Sequence, residues 1–340
     1  MNKNYGLILE KPNELDYMFG ADNDIGKKVL MHDRNWTAYL PTGEKQSHLY
    51  HDDYGCVTHS AQNVIECIFN YKIEQGLFSE ENIEWLNKNG YVDDRNKVNF
   101  DDFFIANLSK TKCNVGNTYR RVADTIREYG LTPQINRPQA TSCSHWYQRP
   151  ITDQELELGK QFKLRFKINY ETVIRGAFNN ALKYSPLQVG VNAWFKQNGL
   201  YYNEVKKWNH AVTYFRKPVE IQFIFDSYGK STEDSFIKRL TKDYLFGKWA
   251  YAYYVKDINY KTDMQIKLYK EEGSSTVYAR GEDMGDGKYH PIGQSDFVMM
   301  FANSWDELNV TETKISKSEI GDMIGSYGFL QRVLNNLFNK

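Results

Sequence analysis

The chain has 340 residues, of which 41% are hydrophobic, and its 43 lysine and arginine residues balance 43 aspartate and glutamate residues. This balance leaves no net charge to attract nucleic acid or an anionic membrane, so neither partner is expected. The N-terminus has no apolar signal-peptide core, and no run approaches the ~18 apolar residues of a membrane-spanning helix. We expect a soluble globular protein of about two domains, at the usual ~150 residues for each.

The first 49 residues are a mixed segment, with short strands predicted at Tyr5–Leu9 and Lys28–Met31. We interpret residues 1–49 as an N-terminal arm that packs on the following domain. The alternative is a prosegment that is removed by cleavage.

Helical periodicity follows from Cys56 to about Gly76. Apolar residues recur there at three-and-four spacing, namely Val57, Ala61, Val64, Ile65 and Ile68. This pattern places Cys56 in the first turn of a helix, where the N-terminal amides and the helix dipole stabilise a thiolate. Further helices are predicted over Ser79–Lys88, Phe100–Ala106 and Thr118–Tyr129.

An alternating pattern begins at Phe162 and indicates a β half. The first predicted strand has Phe162, Leu164, Phe166 and Ile168 on one face. The strands predicted after it are Leu187–Ala193, Ala211–Phe215, Val219–Phe225 and Trp249–Val255. His210 begins one of two neighbouring strands and Asp226 ends the other, so a short turn between the strands brings the two side chains together. The domain with both halves spans residues 50–260.

Two smaller C-terminal parts follow. Residues 261–313 are predicted to form a small β module with strands at Ile266–Tyr269, Thr276–Ala279 and Phe297–Phe301 and a turn at Asp286-Gly287. Residues 314–340 are predicted to form an amphipathic helix that begins at the capping-box pattern Ser316-Lys317-Ser318-Glu319. With few basic residues beside its apolar stripe, this helix is expected to dock on protein rather than on a membrane.

Four stretches carry a family resemblance, which covers the chain from about Gln46 to Val255. They are Gly55 to Ala61 around Cys56, Ile174 to Ala193, Gly199-Leu200-Tyr201 with Asn209-His210-Ala211-Val212, and Asp226-Ser227-Tyr228-Gly229. In this order and spacing the chain resembles the papain family of cysteine peptidases. The resemblance implies an α+β, two-lobed fold with a helical half, an antiparallel β half and a cleft between them.

The resemblance also implies a Cys56–His210–Asp226 triad that hydrolyses peptide bonds without a metal or an organic cofactor. A cysteine, a histidine and an orienting third group are the general requirement for an activated thiol nucleophile. Asn209, Trp194 and Tyr228 are expected to line the cleft and bind substrate, with core packing as the alternative for the two aromatic residues.

The chain departs from the family pattern at three places. Val57 stands where the family has a tryptophan, and Tyr50 stands six residues before the cysteine, where the family has the glutamine of the oxyanion hole. Gln46, ten residues before Cys56, is the candidate for that role if the intervening loop is longer. Asp226 replaces the usual asparagine, and its negative charge favours a protonated imidazole.

Other polar residues near the motif have alternative explanations. His59 is one helical turn beyond Cys56, but the base of this fold comes from across the cleft, so we do not assign His59 to the triad. Asp52 and Asp53 are expected to be solvated loop carboxylates rather than a cation site. A disulfide between Cys113 and Cys143 is left open, while a reducing compartment is the default.

The predicted function is that of a papain-like peptidase acting on proteins or peptides. The opening Tyr5 to Pro12 and Cys56-Val57-Thr58 resemble a bacteriophage and environmental bacterial branch of the family. Such an origin implies a cytoplasmic or virion-associated protein, with self-association or virion attachment through the C-terminal parts. Two alternatives are an amidase or endopeptidase of cell-wall peptides and a structural protein that keeps an inactive peptidase fold.

Overall fold

The computed structural model describes residues 5–13, 16–20, 27–43, 45–192, 194–203, 208–228 and 236–258, together with strands at 268–271, 277–280, 289–293 and 310–313. The chain divides into two compact units, Met1–Ile258 and Asn259–Lys340. Within the described residues, no helix is long and apolar enough to cross a membrane.

The first unit contains seven α-helices among its described residues. They are α1 Cys56–Glu74, α2 Glu80–Lys88, α3 Asp102–Leu108, α4 Tyr119–Tyr129, α5 Cys143–Tyr147, α6 Asp153–Arg165 and α7 Phe178–Ala181. Ser79 and Thr118 cap α2 and α4 by accepting backbone amides, which places both helix starts close to the predicted residues.

The strands of the first unit form one sheet of eight strands. They are β1 Phe166–Ile174, β2 Leu187–Val191, β3 Trp194–Gln197, β4 Leu200–Asn203, β5 His210–Arg216, β6 Ile221–Phe225, β7 Ile237–Thr241 and β8 Trp249–Asp257. The order across the sheet is β1-β8-β2-β5-β6-β7-β4-β3, and all pairs are antiparallel except β4 with β7. The predicted α+β class, with helices and an antiparallel-rich sheet, is confirmed.

Helix α1 is fixed to the sheet by buried polar contacts as well as by apolar packing. The Gln188 side chain of β2 donates to the Val57 carbonyl over 2.6 Å, and the Thr213 hydroxyl of β5 donates to the Ser60 carbonyl over 3.0 Å. These bonds hold the first turn of α1, which begins at Cys56, against the centre of the sheet.

The strand predicted from Phe162 is wrong in its first part, because α6 continues to Arg165 and β1 begins at Phe166. A capping box of Thr152 and Glu155 starts this helix. Phe162 and Phe166 are four residues apart, which suits one face of a helix as well as an alternating strand. Both rings are buried against Phe69.

The two short strands predicted in the N-terminal arm are also absent. Within Tyr5–Leu9, Leu7 makes a single bridge to Asn117, and the amides of Leu30 and Met31 both donate to the Lys183 carbonyl. These two segments thus make isolated backbone contacts rather than paired strands.

Cys113 and Cys143 form a disulfide with a Cα–Cα distance of 5.9 Å. The bridge ties α5 to the loop before α4. The sequence left this bridge open.

The second unit contains a four-stranded antiparallel sheet. Its strands are β9 Leu268–Glu271, β10 Val277–Arg280, β11 Tyr289–Gly293 and β12 Val310–Thr313, in the order β11-β10-β9-β12. The predicted turn at Asp286-Gly287, the strand at Phe297–Phe301 and the helix at 314–340 lie outside the described residues.

Candidate active site

Cys56 is the first residue of α1, and its side chain is fully buried. The backbone amide of Ala211, at the start of β5, donates to Cys56 Sγ over 3.4 Å, which places the sulfur beside the residue that follows His210. Burial raises the pKa of the Cys56 thiol well above its ordinary value, and the Ala211 amide offsets this only in part. Burial therefore opposes the stabilisation of a thiolate that the start of a helix favours.

His210 and Asp226 are joined as the two strands predict. His210 is the first residue of β5 and Asp226 follows β6, which pairs with β5 in antiparallel register. The Nε2 atom of His210 lies 2.6 Å from Asp226 Oδ1, and both side chains are buried. A short hydrogen bond of this kind fixes the orientation of the imidazole ring.

Lys238 is the site residue that the sequence analysis missed. It lies on β7 opposite Ile224 of β6, is 5% exposed, and forms an ion pair through Nζ with Asp226 Oδ2. Burial raises the pKa of Asp226, yet Lys238 and His210 together hold it well below its usual range. The signal in the sequence was the aspartate itself, since an extra buried carboxylate needs a counter-ion.

Gln46 is fully buried and is held beside the segment that follows β6. Its Nε2 atom lies 2.7 Å from the Tyr228 hydroxyl oxygen and 3.1 Å from Asp52 Oδ1, and its Oε1 atom accepts from the Ser227 hydroxyl over 2.7 Å. Tyr50, which occupies the family's usual position for this amide, is 64% exposed.

Tyr5, from the N-terminal arm, contacts the same residues. Its amide donates to the Asn209 carbonyl over 3.0 Å, and its carbonyl accepts from Gln46 Nε2 over 3.2 Å. Its ring centroid lies 5.6 Å from that of His210 and 5.4 Å from that of Tyr228. The sequence left open whether the arm covers the cleft, and no residue pattern there pointed to Tyr5.

The three predicted substrate-binding residues differ in placement. Tyr228 lies against His210, with ring centroids 5.2 Å apart. Asn209 meets the arm through its backbone carbonyl. Trp194 begins β3 and pairs through its backbone with Asn203 of β4.

The prediction of solvated carboxylates is wrong for Asp53, whereas Asp52 is half-buried, and both take part in polar networks. The Tyr228 hydroxyl bonds to Asp52 Oδ2, and Asp53 is 4% exposed. Asp53 Oδ1 accepts the amide of Gly55, the N-cap of α1, over 2.7 Å. Asp53 therefore fixes the turn that leads into Cys56.

His59, which the sequence analysis did not assign to the triad, lies between two carboxylates. Its Nε2 atom is 3.2 Å from Asp53 Oδ2 and its Nδ1 atom is 2.7 Å from Asp102 Oδ2. Burial lowers the pKa of His59, but Asp102 and Asp53 raise it well above its ordinary value. Burial likewise raises the pKa of Asp53, but His59 and His48 lower it to about 2.

A cavity of about 280 Å³ lies beside this cluster, lined by His59, both of its carboxylate partners, Arg137 and Trp146 among others. Within the part of the chain that the structure describes, no group of three or more His, Cys, Asp or Glu side chains is arranged to hold a metal ion.

No family model and no curated protein matches the chain. Among solved structures it is similar to the cysteine protease and lectin-like domains of Cwp84, a surface layer associated protein of Clostridium difficile. That match has a TM-score of 0.47, 10% identity and coverage of 78% of this chain, which spans 61% of the other.

Two further solved structures are similar to this chain. A recombinant stem bromelain precursor has a TM-score of 0.45, 16% identity and coverage of 76% and 78% of the two chains. A structure from a study of the mite allergens Blo t 1 and Der p 1 has a TM-score of 0.44, 11% identity and coverage of 70% and 75%. At such scores and identities the likeness carries no inference about catalysis, so the function must be argued from the site.

Proposed function

We propose that this chain is a cysteine-type peptidase whose nucleophile is Cys56, with His210 as acid and base and Asp226 as the group that orients the imidazole. The observation that carries the proposal is the chain of contacts at the start of β5. The Ala211 amide bonds to the sulfur of Cys56, and the preceding residue, His210, is bonded to a buried carboxylate. A thiol, an imidazole and an orienting carboxylate in this order are the parts of an activated nucleophile.

In the proposed reaction, His210 takes the thiol proton and the Cys56 sulfur attacks the carbonyl carbon of a peptide bond. The tetrahedral intermediate collapses as His210 gives the proton to the departing amine, which leaves an acyl group on the sulfur. His210 then takes a proton from water, and the resulting hydroxide adds to the acyl carbon. Release of the carboxylic acid returns the proton to the thiol.

The developing oxyanion needs donors that are already in place. We assign this role to the backbone amide of Cys56, at the start of α1, and to the side-chain amide of Gln46. In support, Gln46 Nε2 already donates to a peptide carbonyl, that of Tyr5, over 3.2 Å.

Substrate contacts follow from the same geometry. The Asn209 carbonyl, which accepts the Tyr5 amide, is suited to accept a backbone amide of a bound peptide. The ring of Tyr228 supplies an apolar wall beside His210. A role for Trp194 in the cleft, a phage origin and virion attachment through the C-terminal parts rest on the sequence resemblance.

A second candidate is a structural protein with an inactive site. Two observations favour it: the full burial of Cys56 and the contacts of Tyr5 with Gln46 and Asn209. In the peptidase proposal, a substrate must displace Tyr5 before its carbonyl can reach the sulfur.

Hydrolysis assays distinguish the candidates. The full chain is incubated with casein, with a library of fluorogenic peptides and with peptidoglycan fragments, and the products are identified by mass spectrometry. We expect cleavage of protein or peptide substrates that Cys56→Ala abolishes and Cys67→Ala retains, since Cys67 is a second buried free thiol on α1. Cleavage of peptidoglycan fragments alone would favour a cell-wall amidase, and no cleavage of any substrate would favour the structural protein.

A further inference from the structure

The side chain of Lys238 shares the buried carboxylate of Asp226 with His210. One carboxylate oxygen, Oδ1, contacts His210 Nε2 and the other, Oδ2, contacts Lys238 Nζ. Asp226 is fully buried and Lys238 is 5% exposed, so solvent contributes little to either charge. The carboxylate is therefore placed between two groups that can both carry positive charge.

A buried aspartate beside a catalytic histidine has an electrostatic disadvantage. An uncompensated carboxylate favours the imidazolium form of its neighbour, while a general base must also release its proton within each turnover. A neutral amide in this position orients the ring without that bias. An ammonium group on the second carboxylate oxygen removes most of the bias, because the two charges largely cancel at the ring.

We propose that Lys238 is a positioning residue of the active site, whose ammonium group neutralises Asp226 so that the pair acts on His210 as a neutral hydrogen-bond acceptor. The inference rests on the proposed peptidase function. It accounts for an aspartate where the papain family has an asparagine, since aspartate with lysine matches the charge of a single amide.

Lys238 also holds the segment that follows β6. Its Nζ atom donates to the Tyr228 carbonyl over 2.9 Å, and the Tyr228 hydroxyl contacts Gln46 and Asp52. The ion pair thus connects the orientation of His210 with the placement of the proposed oxyanion donor.

The surroundings of the pair contain several other titratable groups. They come from the arm, α1, the loop before α1, β4, the segment after β6 and the loop after β7, and are Tyr5, Cys56, Asp52, Tyr201, Tyr228 and Tyr244. Tyrosine, cysteine and aspartate side chains carry no positive charge in either protonation state. Lys238 therefore supplies the positive charge that Asp226 meets on the side away from His210.

Opposite shifts in two single variants, and their cancellation in the double variant, test the proposal. The His210 ring is titrated by NMR in wild type, Lys238→Met, Asp226→Asn and the double variant. Without Lys238 the carboxylate is uncompensated and the midpoint moves upward, whereas in Asp226→Asn the lysine is uncompensated and the midpoint moves downward. We expect each shift to be about one pH unit or more, and the double variant to return close to wild type.

Peptide hydrolysis gives the second readout. We expect each single variant to lose about tenfold or more in kcat/KM, the factor that corresponds to one pH unit. The double variant should regain most of the activity. Lys242→Met is the matched control, since Lys242 forms an exposed ion pair with Glu220 near the same strands, and it should leave both readouts unchanged.

Each single variant leaves one buried charge without a partner, which lowers its stability and can unfold it. The double variant carries no such charge. If a single variant is unfolded, the His210 midpoint of the double variant is compared with that of wild type to test the proposal. Three results would overturn the inference: a midpoint that does not respond to Lys238→Met, shifts in the same direction in both single variants, or a folded double variant with a displaced midpoint.

The two proposals fail in different ways. If wild type hydrolyses no peptide but the midpoints follow the expected order, the peptidase function is wrong and the compensation of Asp226 by Lys238 stands. If wild type hydrolyses peptides and the titration midpoint of His210 does not change in Lys238→Met, the peptidase function stands and the proposed role of Lys238 is wrong.

Discussion

Two buried histidines lie near the start of α1 in opposite electrostatic settings. His59 lies between two carboxylates, those of Asp53 and Asp102, whereas His210 contacts one carboxylate that is shared with Lys238. Two carboxylates beside a histidine favour its charged form, and the pKa of His59 is raised accordingly. Lys238 offsets the negative charge of the carboxylate that His210 contacts, and the proposed mechanism requires His210 to gain and lose a proton. The same residue type thus supplies a structural ion in one region and the proposed acid and base in the other.

The largest effect is expected when His210, the proposed catalytic histidine, is replaced. His210→Ala should reduce kcat by about 10²- to 10⁴-fold, the usual contribution of general acid and base catalysis. The fold should survive, because Asp226 keeps Lys238 as its partner. Steady-state kinetics and urea unfolding measure the two quantities. A variant that is unfolded, or one that retains kcat, would contradict the assignment.

Replacement of His59, the histidine between two carboxylates, should reduce stability rather than catalysis. His59→Ala leaves Asp53 and Asp102 without their shared cation and should lower the free energy of unfolding by about 3–5 kcal/mol. The folded fraction should still hydrolyse peptides, though less efficiently where the turn before Cys56 moves. His145→Ala, at an exposed histidine, is the control for urea unfolding. Equal stability of the two variants would show that the cluster does not stabilise the fold.

The His59 cluster also predicts a pH window of stability. The pKa of Asp53 is lowered to about 2 from an ordinary value of 3.8, so its contribution is present above pH 3.8 and is lost as the pH falls through 2. The pKa of His59 is raised, so its contribution is present below its ordinary value of 6.5 and is lost as the pH rises through the raised value.

Unfolding of wild type and Asp53→Asn between pH 2 and 6 measures the acid side of this window. The difference in unfolding free energy should narrow as the pH falls, because wild-type Asp53 becomes neutral. Asp94→Asn, at an exposed carboxylate, should show no such trend. A constant difference would mean that Asp53 is not stabilised as an anion.

The smallest effect is expected from a change in how readily a substrate reaches His210. Tyr5→Ala removes the ring contacts with His210 and Tyr228 and should raise kcat/KM by about two- to tenfold, the size expected for aromatic contacts of this kind. Tyr17→Ala, at a largely exposed ring of the same arm, is the control. An unchanged or lower kcat/KM would mean that Tyr5 supports the site rather than covers it.

Much of the fold follows from local patterns in the sequence. Helix α1 shows an unbroken apolar periodicity, and β5 and β6 are apolar runs separated by a proline, so their bounds were predicted closely. Helix α6 was missed because Phe162 and Phe166 suit both periodicities, and the capping box that starts the helix begins at Thr152, ten residues before Phe162. Strand β7 was missed because its lysine and arginine interrupt the apolar pattern.

The site was predictable where motif order alone brings residues together, as for His210 and Asp226. It was not predictable where the partner comes from a distant part of the chain. Lys238 reaches Asp226 across the β6–β7 pair, and Tyr5 reaches Gln46 from the arm. The burial of Asp53 was missed because two adjacent aspartates in a loop give no local sign of the histidine that neutralises them.

Covalent labelling tests the central claim most directly. The folded full chain is treated with an epoxysuccinyl inhibitor of thiol proteases and examined by intact mass and peptide mapping. We predict one label per chain, located on Cys56, absent from Cys56→Ala, strongly slowed in His210→Ala and retained in Cys67→Ala. Failure of wild type to label, while iodoacetamide still alkylates Cys56, would contradict an assembled cysteine–histidine pair.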